Sequence, residues 1–556
     1  VKMHDFLREN DPTRIVHYEG IFHYRKSERA SDIESTMYIP PHVVEQYAVE
    51  AEKSNKPVKP YILCEYSHSM GNSTGNLFKY TDLFDKYSVL QGGFIWDWKD
   101  QALRTTTSDG IEYLAYGGDF GESPHDGNFC GDGIIFADGT VSPKIFEVKK
   151  CYQNVDFSAV DLNQGVIRLK NKFLFTNLNE FTFKWTVTEN GVEVKSGTSE
   201  VNVAPGHTED ITLGISTRDF ESYCGELVLT VSLHLKETKL WAEEGHEIAF
   251  EQFIIREPEM VKENYDIVGE ISVTNLEQEL HVNGKQFTVV FDKTSGFLTS
   301  YIYNDKQLLQ TPIRPNFWRA MTDNDRGSKL DVRSAVWKNA GKNSSLKDFH
   351  FEEKEGHVVV SVKHTIPTEK ESICSIRYQV DSIGKVTVHY ELIPNPNLPE
   401  IPEIGMMFTM PVSFENVEWY GKGPHENYID REKGAKIGKY CGKVSKQYTP
   451  YLKPQECGNK IGVRWAKIYG EDGTGLKITG MPTIEFNALP YLPEELEQAS
   501  HMYKLPESDK TVVRVNFKQM GVGGDDSWGQ KTHPEFTLYA DQTYKYSYII
   551  TPFLKE

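Results

Sequence analysis

Pro60-Tyr61-Ile62-Leu63-Cys64-Glu65-Tyr66-Ser67-His68-Ser69-Met70-Gly71-Asn72-Ser73 is the stretch that decides how this chain is read. Tyr61 to Cys64 is a short apolar run of the kind that forms a buried strand, and it delivers the carboxylate of Glu65 at its C-terminal end. A His, a Gly and an Asn follow, and then Leu77, Tyr80, Phe84 and Tyr87 recur at helical spacing. In parallel β/α folds, an acidic residue at a strand's C-terminal end sits at the mouth where active sites are assembled. The competing reading is a strand-end Glu in an ordinary surface ion pair.

Working outward, Thr36 to Ile39 reads as a strand, and Pro41 to Ser54 as a helix with an apolar stripe of Val43, Val44, Tyr47, Val49 and Ala51. Gly93 to Trp96 is a further strand. Towards the N-terminus, Lys2 to Asn10 reads as the end of a helix and Asp11 to Arg14 as its exit turn. Ile15 to Gly20 then reads as a strand with Glu19 near its end. This alternation predicts a parallel β/α domain over residues 1–150. Four strand–helix units are visible where a closed barrel needs eight, so half of the barrel is expected to lie outside this sequence.

From about Tyr152 the period changes to two. Phe181 to Val187 alternates cleanly, Glu189-Asn190-Gly191 is a hairpin turn, and Gly225 to Leu233 is another strand. An immunoglobulin-like β-sandwich is expected over 151–258, with Arg256 to Met260 as linker. Residues 259–556 read as a large all-β sandwich, in which Phe287 to Leu298 is a strand, a turn at Asp292 to Gly296, and a second strand. The expected fold class is therefore multidomain: the C-terminal half of a (β/α)8 TIM barrel, an immunoglobulin-like β-sandwich and a large C-terminal β-sandwich. No internal repeat or low-complexity tract interrupts it.

Composition removes several functions. A formal net charge of −19 leaves no basic face for nucleic acid and disfavours an anionic membrane surface. No apolar run approaches the roughly 20 residues of a membrane span. The 7 cysteines are odd in number and scattered, so no disulfide framework or close metal pair is expected, and most are expected to be buried thiols. The acidic, thiol-bearing chain is expected to be soluble, with cytoplasm favoured over periplasm. The glycines Gly521, Gly523 and Gly524 follow no strand–helix phosphate pattern, and neither a nucleophile-elbow serine nor a zinc-type His-Glu helix is found.

Cys64 to Ser73 resembles the nucleophile segment of the large bacterial β-galactosidases of glycoside hydrolase family 2. Gln91 to Trp98, Tyr116 to Gly121 and Asn128 to Gly133 match that family in order and approximate spacing. Arg314 to Arg319, Thr322 to Asp325, Tyr420 to Tyr428 and Gly521 to Trp528 match its C-terminal β-sandwich, so the resemblance covers essentially the whole chain. It implies retaining hydrolysis of terminal β-D-galactosides such as lactose, with Glu65 as catalytic nucleophile. Such chemistry needs a second carboxylate about 5–5.5 Å away. The family's acid/base lies in an Asn-Glu pair upstream of the segment matched by Asp11 to Gly20, and no such pair is present here. Glu19, Asp97 and Asp119 are the resident carboxylates near strand ends, and most carboxylates in that position only orient neighbours.

The resemblance also implies that Tyr38 hydrogen-bonds Glu65, that His68 binds sugar hydroxyls, and that Trp96 offers a flat face to the galactose ring. Phe129, through its carbonyl, and Asp132 match the place of a monovalent cation (Na+ or K+), although the best-known pattern has Asn at the position of Asp132. Oxygen ligands suit such hard cations. Magnesium in the intact enzyme is expected to take ligands mostly upstream of Val1. Trp528 matches an aromatic that reaches over the barrel mouth; the alternative is a turn at Asp525 to Ser527 that tucks it into its own sandwich. Expected partners are a β-galactoside, the N-terminal half of the enzyme and a second copy of the chain in a homo-oligomer. The other readings are a non-catalytic carbohydrate-binding or assembly fragment, or a β-glucuronidase or β-mannosidase of the same family.

Overall fold

The computed structural model describes residues 1–23, 27–258 and 269–555. The last two residues of the expected linker, Glu259 and Met260, and the expected start of the third domain lie outside the described residues.

The N-terminal part begins with helix α1 (Lys2–Asn10) and then builds strand β1 (Glu34–Met37), helix α2 (Pro41–Lys53), strand β2 (Tyr61–Tyr66), helix α3 (Leu77–Lys86) and strand β3 (Leu90–Ile95). The strands form a parallel sheet in the order β1-β2-β3. Parallel strands joined by crossover helices bury one face of the sheet under those helices. Here Val44, Leu63, Leu77 and Tyr80 meet in that layer, joined by Val148 of α4 (Lys144–Cys151). Pro41 opens α2, where its fixed φ suits a helix and its missing N–H costs nothing.

Two expectations are corrected. Three strands, not four, form the sheet: Ile15 to Tyr18 pairs with no strand among the described residues, and Glu19–Phe22 is a short 3-10 turn. Its main chain is satisfied from a neighbouring loop instead, Val16 N–H donating to Asp32 Oδ2 (2.7 Å) and Tyr18 N–H to Ser31 Oγ (3.1 Å). On α2, Val44 and Ala51 of the expected stripe are buried and Tyr47 and Val49 pack against the same core, but Val43 points outward, and Pro41 and Ala48 complete the buried face. On the open edge strand β3, Phe94 is 62% exposed, as is Trp98 just after it, and Phe120 in the following loop is 60% exposed.

Residues 155–256 form two sheets, of three and four strands, packed through Ile167, Leu169, Phe183, Val187, Leu229 and Val231. The strand Phe181–Glu189 turns into Val192–Ser199 through Asn190 and Gly191, whose φ values of 48° and 77° suit the tight hairpin expected there. Residues 272–554 form a five-stranded and a twelve-stranded sheet sharing one core. The strands Phe287–Asp292 and Leu298–Tyr303 pair antiparallel on either side of the expected turn. All seven cysteines are free, but only Cys374 and Cys457 are buried; Cys224 is exposed in the loop before the strand Leu227–Leu235, and Cys441 on the edge strand Lys436–Lys443.

What positions the site is the docking of the third domain on the β2–α3 loop. Asn72 donates from its main chain to Gln455 Oε1 (3.0 Å) and from Nδ2 to the Glu456 carbonyl (2.7 Å). Arg431, fully buried, donates to the Ser73 carbonyl (2.6 Å) and to Glu426 Oε1 (2.9 Å). Replacing Arg431 by Met strips this link and leaves Glu426 without its counter-charge. We expect a loss of about 3–5 kcal/mol in chemical denaturation, with the N-terminal part becoming sensitive to limited proteolysis first.

Candidate active site

Glu65 stands one residue before the end of β2, opposite Met37 at an irregularity in the β1–β2 register. Tyr38 and Ser67, which follow the two strands, both take φ of 49°, a left-handed conformation uncommon outside glycine. Such residues cost on the order of 1–3 kcal/mol each and persist where the surroundings over-determine them. The Tyr38 main chain donates to the Glu65 carbonyl (3.0 Å), and its phenol donates to Glu65 Oε2 (2.6 Å). Burial, reinforced by that carboxylate, pushes the Tyr38 phenol well above its ordinary range, so it remains a donor at every working pH.

His68, buried, shares a 2.8 Å hydrogen bond between Nδ1 and Ser527 Oγ, which in turn donates to Asn324 Oδ1 (2.9 Å). Its Nε2 faces Asp132 Oδ2 at 3.9 Å, too far for a hydrogen bond. Burial, with the Lys144 ammonium adding to it, pushes His68 down to about 4, so the ring is neutral. Asp132 accepts from Trp96 Nε1–H at Oδ2 (3.1 Å), while its Oδ1 is buried with no partner among the described residues. Burial pushes the Asp132 carboxyl up to about 6, the Trp96 bond opposing it.

Trp528 does not fold into its own sandwich. It stands edge-on to Tyr38 (4.8 Å between ring centroids, 85°) and to His68 (5.2 Å, 73°), with Phe129 at 6.0 Å, and is half exposed. Its loop is shaped by Asp526 Oδ1, which accepts from the main chain of Trp528, Gly529 and Gln530 at 3.1, 2.9 and 2.8 Å. The structure thus joins Glu65, Tyr38, His68, Trp96, Phe129, Asp132 and Trp528 in one cluster of contacts.

The other strand-end carboxylates have orienting partners. Asp97 accepts from Trp98 N–H (2.5 Å) and Gln101 Nε2 (2.9 Å), and Asp119 from Tyr116 N–H (2.8 Å) and His501 (2.8 Å). Glu19 is exposed on its 3-10 turn. Among the described residues, no group of three His, Cys, Asp or Glu side chains is arranged to hold a metal ion.

Sequence reasoning missed the groups that hold the cleft together. Asp323 accepts from Asn128 Nδ2 (3.0 Å) and Gln455 Nε2 (2.8 Å), tying the Phe129 loop to the third domain. Lys144 and Ser527 were also missed. Asp323 and Asn324 lie in a stretch, Thr322 to Asp325, that marked only a resemblance, and nothing in its spacing points at His68 or Asn128.

Three family models match the chain: the TIM barrel domain of glycosyl hydrolases family 2 over residues 1–157, beta-galactosidase domain 4 over 167–256, and the beta galactosidase small chain over 283–550. The chain belongs to glycoside hydrolase family 2. It is 52% identical to a protein named beta-galactosidase from Priestia megaterium, an alignment covering 99% of this chain and 52% of that protein. Proteins of the same name from Halalkalibacterium halodurans and Lactobacillus delbrueckii subsp. bulgaricus are 40% and 39% identical over 98% and 100% of this chain, and 53% of each of them. The chain thus spans about half the length of the curated relatives it matches. No helix among the described residues is long and apolar enough to cross a membrane.

Replacing Asp526 by Ala removes the one acceptor shared by three main-chain N–H groups. We expect Trp528 to leave Tyr38 and His68, read as a red shift in its emission, isolated by subtracting the spectrum of the Trp528→Phe protein.

Proposed function

We propose that this chain is the nucleophile-bearing portion of a retaining β-galactosidase acting on terminal non-reducing β-D-galactosides such as lactose. The observation that carries the reading is the 2.6 Å contact from the Tyr38 phenol to Glu65 Oε2, at a strand end ringed by Trp96, His68, Asp132 and Trp528. The names of the family relatives favour galactosides over glucuronides or mannosides.

Glu65 attacks the anomeric carbon while an acid protonates the departing oxygen; the same group then activates the water that hydrolyses the glycosyl-enzyme. Tyr38, permanently protonated, orients the attacking carboxylate and supports the charge that returns to it when the sugar leaves. Trp96 and Trp528 supply aromatic faces to the sugar and its aglycone, and His68 and Asp132 bind its hydroxyls. The acid/base comes from a segment outside this sequence that completes the barrel. Its docking covers Phe94, Trp98 and Phe120 and pairs the open edges of β1 and β3, surfaces that native folds normally cover. Magnesium in the intact enzyme draws its ligands from that segment too.

Asp132 also fits a monovalent cation together with the Phe129 carbonyl, because a hard cation would satisfy its unpartnered Oδ1. The carboxyl is neutral below about 6 and charged above it. Sodium affinity, followed by 23Na NMR, is therefore expected to rise as pH goes from 5 to 7, and to become weak and independent of pH in Asp132→Asn.

The deciding experiment is hydrolysis of a chromogenic β-galactoside by this chain alone and after mixing with a separately expressed N-terminal half. Activity is expected only on mixing, to be abolished by Glu65→Gln and lowered about 100-fold in kcat by Tyr38→Phe. Activity of the chain alone would show that a resident carboxylate serves as the acid. Galactoside binding without turnover after verified reassembly would favour the carbohydrate-binding reading.

A further inference from the structure

We infer that Lys144 is a positioning residue for the sugar pocket: its ammonium ties the loop carrying His68 to the loop carrying Asp132 and so sets how those two side chains face each other. The inference rests on the proposed function only for what the pocket binds.

Lys144 is the first residue of α4 and is buried to 1% exposure. Its Nζ donates to the Ser69 carbonyl (2.6 Å) and to the Gly133 carbonyl (2.6 Å). Each carbonyl belongs to the residue directly after a pocket side chain, His68 in one case and Asp132 in the other. Behind the ammonium stands the Tyr451 ring of the third domain, 5.8 Å from Nζ to the ring centroid.

A lysine is almost never fully buried unless its charge is answered. Both hydrogen bonds here go to main-chain carbonyls, so the answering charge is diffuse and comes from Asp100, Asp132 and Asp323. Burial dominates and pushes the ammonium down to about 8, which leaves it charged at neutral pH. Desolvating an ammonium costs several kcal/mol, a cost a mere space-filler would not incur.

The 133–134 segment is held by other groups as well, among them the Asp97 carbonyl, which accepts from Ile134 N–H (2.9 Å). Gly133 N–H donates to Asp100 Oδ1 (2.8 Å), and Ser142 Oγ donates to the Ile134 carbonyl (2.7 Å). None of these reaches the His68 loop; Gly71 N–H does reach the Gly131 carbonyl (3.0 Å) on the far side of both pocket residues, and Lys144 adds the one charged link, directly behind them.

The test compares the wild-type chain with Lys144→Met, which keeps length and burial but removes the charge and the donors. In the isolated chain, main-chain amide hydrogen exchange at Ser69 and Gly133 is expected to quicken at least about 10-fold in Lys144→Met. After mixing with the N-terminal half, KM for the chromogenic β-galactoside is expected to rise at least about 10-fold while kcat changes less than about threefold. Amide exchange and a KM both unmoved in a folded Lys144→Met protein would overturn the inference. An inactive wild-type reassembly would instead count against the proposed function, and the amide exchange alone would then decide on Lys144. Should Lys144→Met not fold, the wild-type chain decides: an ammonium held on two carbonyls out of water gives a slowly exchanging Nζ–H signal with cross-peaks to Ser69 and Gly133. Exchange at the rate of a solvent-exposed lysine would overturn the inference.

Discussion

The loop after Glu65 is held from another domain, and the rest of the cleft depends on that. A buried main-chain N–H or carbonyl without a partner costs roughly 1–3 kcal/mol, so a buried loop keeps only a shape in which its polar groups are met. Here the partners are remote in sequence. Gln455 and Glu456 answer Asn72, Arg431 answers the Ser73 carbonyl, and Asp430 takes Asn76 N–H at its carbonyl (2.9 Å). The same third domain supplies Ser527 to His68 and Asp525 to the Tyr80 phenol (2.6 Å). The β-sandwich is thus part of the scaffold of the β2–α3 loop.

That scaffold is itself anchored by buried charge. Arg514 donates to Glu456 at 2.7 and 2.8 Å and to Glu403 Oε2 at 2.6 Å, with all three side chains inaccessible or nearly so. Such networks are tolerable because each carboxylate meets a donor, and they resist distortion because any displaced partner leaves an unanswered charge in low dielectric. The loop that presents the Glu456 carbonyl to Asn72 is therefore stiff where it touches the β2–α3 loop. The cleft itself has the opposite character: a neutral His68, a permanently protonated Tyr38 and an Asp132 close to half-charged at mildly acidic pH. Desolvation is the first cause in all three, so anything that lets water in would shift them together.

Local features were legible in the chain where local physics decides them. The Glu65 strand, the helices starting at Pro41 and Leu77, and the Asn190-Gly191 hairpin follow from apolar periodicity and from residues that tolerate positive φ. Ile15 to Tyr18 has the composition of a strand but pairs with none among the described residues, because strand formation depends on a neighbour as well as on composition. On α2 the expected stripe erred at Val43, whose apolar side chain faces outward, and missed Ala48, which is buried but carries a weak signal. The thiols were read as buried by habit of residue type, whereas Cys224 falls in a loop and Cys441 on an edge strand.

By itself the sequence determined the family and the types of side chain placed around Glu65, because those rest on residue identity in short, ordered segments. Only the tertiary structure decided that Trp528 stands over Tyr38 and His68, that Ser527 holds the His68 ring, and that Lys144 bridges two loops from behind. The physical reason is sequence distance. His68 and Ser527 are separated by 459 positions, and no periodicity or motif encodes a contact that exists only once two sandwich loops have buried their polar groups against a β/α sheet.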